Sequence, residues 1–76
     1  MEYKAWAYNT GTGKTRWFGE YPTLEVAQRT LVEAHAEPEA WNTPDMRGQK
    51  PGTWTAIVDC DEAGGGEWEL VVEISP

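Results

Sequence analysis

Apolar and polar positions alternate most clearly at the C-terminal end of the chain. In Glu67–Ser75, Trp68, Leu70, Val72 and Ile74 point one way; Glu67, Glu69 and Glu73 point the other, with Val71 among them. Thr53–Cys60 repeats the pattern, with Trp54, Ala56, Val58 and Cys60 on one face and Thr53, Thr55, Ile57 and Asp59 on the other. A period of two is the signature of a half-buried strand. Directly paired residues share a face, so an antiparallel pair must set even positions opposite even positions. A five-residue loop within Asp61–Gly66 satisfies that parity. The hairpin then offers an apolar face to a core and an acidic face to solvent, with Asp59 near Glu67 and Glu69.

Upstream, Tyr3–Asn9 alternates loosely and reads as a strand. Asn9–Lys14 is turn chemistry: glycines supply positive φ, and Asn and Thr bond back to the backbone. Thr15–Phe18, extending toward Tyr21, completes a hairpin. Leu24, Ala27, Leu31, Ala34 and His35 recur at helical spacing behind an N-capping Thr23 and ahead of Pro38. That predicts one amphipathic helix of about 13 residues ending near Ala36 or Glu37. Glu39–Gly52 has no apolar period; a loop of that length is uncommon and is either functional or disordered. The order β-β-α-β-β predicts a single α+β domain over residues 1–76, a four-stranded antiparallel sheet with one helix packed on one face.

Size changes what the core must do. The chain has 76 residues and one cysteine, so no internal disulfide can form. A domain this short buries only about 60% of its unfolded surface. Five Trp, three Tyr and one Phe supply the bulk instead, and at least one ring is expected at the surface. A lone cysteine, no apolar run after Met1 and no segment near the ~20 apolar residues that span a bilayer read as a cytoplasmic protein without a membrane partner.

Charge sharpens the picture. The net charge is −7, yet residues 1–36 balance four acids with four bases. From Glu37 onward nine acids face only Arg47 and Lys50. That balance argues against broad contact with nucleic acid or anionic lipid.

Motifs with chemical potential are weak. Gly11-Thr-Gly-Lys-Thr15 has the tail of a phosphate-binding loop, but Tyr8 stands where that loop needs glycine, and strand-like Arg-Trp-Phe follows where a helix should start. A hairpin turn accounts for it better. Asp59, Asp61, Glu62 and Glu67 surround a glycine turn without the spacing of a calcium loop, so no metal or other cofactor is expected. Cys60 falls on the apolar face with no adjacent base to activate it, and reads as a buried thiol. His35 reads as a rim residue that favours the helix C-terminal dipole. No catalytic constellation emerges, and the chain reads as non-enzymatic.

Trp17–Ala27, with the hairpin before it, is similar to the strand-then-helix join of the AP2-like arm-binding domains of phage integrases. That resemblance implies a DNA-reading basic sheet, but only Lys4, Lys14 and Arg16 would serve it, and the acidic half would repel DNA.

The expectation is therefore a binding protein that docks a basic protein surface. Asp59, Asp61, Glu62, Glu67, Glu69 and Glu73 would pair its cations, with Trp41 and one of Ile57 or Val71 as apolar contact. Its sharper form is an inhibitor that sets carboxylates where a nucleic-acid-binding protein expects phosphates, a class resembling the small acidic proteins of phages and mobile elements. The alternatives are an accessory module acting as a homodimer, and a weak nucleic-acid binder using the N-terminal hairpin.

Overall fold

The computed structural model describes residues 1–59 and 66–75. Two hairpins flank one helix in the order β1 (Glu2–Asn9), β2 (Thr15–Tyr21), α1 (Leu24–Ala34), β3 (Thr53–Asp59) and β4 (Glu67–Ser75). The strands form one antiparallel sheet in the order β2-β1-β4-β3, which brings the first and last strands together at its centre. This is the expected α+β arrangement.

The parity inferred for the second hairpin holds. Trp54 pairs with Val72, Ala56 with Leu70 and Val58 with Trp68. The turn that joins β3 to β4, with Cys60, Asp61 and Glu62, lies outside the described residues.

The first hairpin closes on an Asn-led turn. Asn9 Oδ1 accepts from the amides of Gly11 and Thr12, both at 2.9 Å, and Gly13 takes φ +78°. The glycine-lysine motif is thus spent on a strand connection. In β2 the register slips by one residue: Ala5 faces Gly19 while Trp6 faces Trp17, so Phe18 is bulged. Gly19 absorbs the distortion at φ +128°, and the Tyr21 hydroxyl donates to the Phe18 carbonyl at 3.0 Å. The bulge lets consecutive aromatic residues serve different ends. Trp17 shares the outer face with Trp6, while Phe18 packs against the core.

Helix α1 begins as its capping residue dictates: Thr23 is extended and its Oγ1 accepts from the Val26 amide at 3.2 Å. Ala27 and Leu31, one turn apart, are fully buried. Opposite them on the sheet lie Ala5 and Ala7, whose short side chains leave room for Leu31, Leu70 and Val72. The helix stops at Ala34, two or three residues short of the expected end at Ala36 or Glu37, because His35 leaves helical geometry and turns its ring toward Trp68.

The Glu39–Gly52 segment pairs with the outer edge of β3 at one point and joins the sheet again before β3 begins. Asn42 and Thr55 exchange two backbone hydrogen bonds, at 2.8 and 3.1 Å. Further along, Gln49 Nε2 donates to the Thr53 carbonyl at 2.8 Å, and Gly52 accepts from the Ile74 amide at 2.9 Å. Ala36 and Trp41 pack against the core cluster. Among the described residues, no helix is long and apolar enough to cross a membrane.

His35 sits half-buried at the helix end, where it was expected, and its ring also packs against aromatic neighbours. Its ring lies 5.6 Å from that of Phe18 and 5.0 Å from that of Trp68, and Nδ1 sits 3.2 Å from the Leu31 carbonyl. Burial pushes its pKa below 6.5; the Leu31 contact opposes the shift, and the Arg16 charge adds to it. Burial thus favours the neutral ring, while Nδ1 stays within reach of the Leu31 carbonyl at the helix C-cap. Because the folded value is depressed, the stability tied to neutral His35 is full above the unfolded value. It is lost as pH falls through the folded one. His35 is the only histidine. Urea unfolding at pH about 7.5 and about 5.5 should show a lower midpoint at the acid pH, and a smaller drop for His35→Phe. An equal drop in both proteins would remove His35 as the cause.

Candidate functional site: the open face of the sheet

The helix covers one face of the sheet, and the register places the other face in rows. Trp17, Trp6, Val71 and Thr55 form the middle row. On one side lie Thr15, Tyr8, Glu69 and Ile57; on the other lie Glu20, Lys4, Glu73 and Thr53. Asp59 stands directly opposite Glu67 at the end of β3 and β4. The acidic strand face is therefore real, but β1 inserts aromatic rings and one lysine into it.

The carboxylates are not equivalent. Glu73 accepts from Trp6 Nε1 at 3.0 Å through Oε1, and its Oε2 lies 4.0 Å from Lys50 Nζ. Glu67 Oε1 accepts from the Thr10 hydroxyl at 2.9 Å. Glu20 Oε1 accepts from Ser75 at 3.1 Å. These three are committed to holding the sheet. Glu69 and Asp59 have no cation within 4.0 Å among the described residues. Like charges directly opposite in a sheet are destabilising, by a few tenths of a kcal/mol, so the Asp59–Glu67 pair is retained at a cost to the fold.

The apolar candidates separate as well. Ile57 is 48% exposed and Trp17 60% exposed. Val71 is only 3% exposed, between its cross-strand neighbours Trp6 and Thr55, so it offers a partner almost no area. Trp41 is half-buried and packs against the core. Pattern reading missed Trp17 and Trp6; both lie in β1 and β2, and only sheet order brings them beside β4. Asp61 and Glu62 lie outside the described residues.

A shallow depression of about 320 Å³ opens on this face, lined by Trp6, Val71, Glu69, Glu73 and the Gln49–Lys50 rim. The cations of the first hairpin do not converge on it. Lys4 faces Glu20 and Glu73 on the open side, whereas Arg16 pairs with Ala7 on the helix side, 5.4 Å above the Phe18 ring. No continuous basic surface results. Among the described residues, no three His, Cys, Asp or Glu side chains gather as a metal site. No protein-family model, curated protein or solved structure matches the chain.

Proposed function

We propose that this chain is a non-enzymatic binding protein that docks a basic protein surface through the open face of its sheet. One observation carries the reading: among the described residues Glu69 and Asp59 have no cation within 4.0 Å, on the sheet that also exposes Trp17 and Ile57. Carboxylates of one sign speed association with a basic partner, and exposed aromatic area supplies contact energy. In its sharper form the partner is a nucleic-acid-binding protein whose phosphate-contacting site the carboxylates occupy.

The test compares proteins captured by the wild type with those captured by an Asp59→Lys, Glu69→Lys variant, at low and raised salt. Neither side chain has a hydrogen bond or ion pair among the described residues, so the variant should remain folded. Capture should fall with salt, because exposed charges are screened, and should be lost on reversal. Capture unchanged by both would overturn the reading. If DNA displaces the captured protein, the sharper form gains support.

A second reading, a homodimer, is favoured by Trp17 lying exposed on the outermost strand, β2, beyond which no described strand pairs. Light scattering that gives the monomer mass at high concentration would remove it.

A further inference from the structure

We infer that the depression between Trp6 and Glu69 receives an arginine side chain from an extended basic segment of the partner. This inference rests on the docking function proposed above and assigns its central contact.

The floor is apolar, formed by the buried Val71. Trp6 forms one wall, and Trp17 stands beside it in the same cross-strand row. The Trp6 indole is fixed by its 3.0 Å hydrogen bond to Glu73, so the ring is held before any partner arrives. Glu69 lines one end, a row along β4 from Val71 and half-buried between Tyr8 and Ile57 in the register, with no described cation within 4.0 Å. The chain's own Lys50 already reaches the rim, with its ammonium 4.0 Å from Glu73 and its side chain 75% exposed. The depression thus attracts positive charge, and Lys50 reaches only its edge.

The chemistry selects arginine over lysine. A guanidinium is planar, stacks on an aromatic face and donates two parallel hydrogen bonds to a carboxylate. An ammonium gains a cation–π contact from the same ring but is more strongly hydrated and makes point contacts. The volume is at the small end for ligand pockets and suits one long side chain. A phosphate-bearing ligand is disfavoured by the two carboxylates.

The experiment titrates the protein with hexa-arginine and, separately, with hexa-lysine at low salt, following indole N–H resonances by NMR. The wild type, Glu69→Gln and a control, Glu25→Gln on the outer side of the helix, are compared. Hexa-arginine should bind more tightly than hexa-lysine and should shift the Trp6 resonance. Glu69→Gln should weaken it about tenfold, the order expected for one charge-assisted hydrogen bond; the control should bind as the wild type does. Equal binding of both peptides, or no effect of Glu69→Gln, overturns the arginine assignment and leaves the acidic docking face standing. Absence of binding by either peptide overturns both.

Discussion

Leu70→Ala is expected to cost about 2–5 kcal/mol of unfolding free energy, the range for truncating a fully buried leucine. The upper part of that range applies because of what surrounds the site. Leu70 has 0% exposure and lies in β4, with Ala7 opposite in β1 and Ala56 opposite in β3. Neither methyl group can swing in to fill the void. The helix above contributes Ala27 and Leu31, and Leu31 is held by its own position on a capped helix. At about 0.05–0.15 kcal/mol per residue, a chain of 76 residues has little stability to lose. The melting temperature should therefore fall by more than about 10 °C. Ile57→Ala, which removes a half-exposed side chain from the open face, should stay within about 0.5 kcal/mol of the wild type. Comparable losses in the two variants would mean that the core is not where the buried alanines and leucines place it.

The same contrast explains which parts of the molecule could be read in advance. A period of two is insensitive to context, so β3, β4 and their shared parity were legible from Trp54, Val58, Trp68 and Leu70 alone. Local hydrogen bonding is written in short patterns, so the Asn9 turn and the Thr23 cap were legible too. The Phe18 bulge was not. It inserts one residue between two aromatics, and an aromatic residue suits either face, so no polar residue marks the change of side. His35 followed for a similar reason: its ring is half-buried against Phe18, which the bulge presents, and Trp68, which the sheet presents.

The candidate site was half legible. Strand parity placed Glu67, Glu69 and Glu73 on one face, but it could not indicate that Thr10 and Trp6 would engage two of them. Those bonds depend on β1 lying next to β4, a pairing between the two ends of the chain. What looked like a uniform acidic face is a row of rings with committed carboxylates on both sides, and Glu69 and Asp59 left over.

Trp41→Ala should destabilise the fold by about 2 kcal/mol, below the 3–5 kcal/mol typical of a fully buried tryptophan because the ring is only half-buried. The segment that carries it has no helix or strand of its own. Its first half is held by the Trp41 ring against the core and by the paired backbones of Asn42 and Thr55; Gln49 and Gly52 anchor the second half. Removing the ring should therefore loosen that backbone pair as well, and hydrogen exchange at the Asn42 and Thr55 amides should quicken more than exchange in β1. The substitution leaves the charge of the open face untouched, so arginine-rich peptides should bind the variant as they bind the wild type. The opposite pair of results, unchanged stability with weakened binding, would make Trp41 a contact residue and move the docking surface to the edge of β3. Because the ring cannot both fill the core and serve a partner at full strength, the two measurements together decide what the long loop is for.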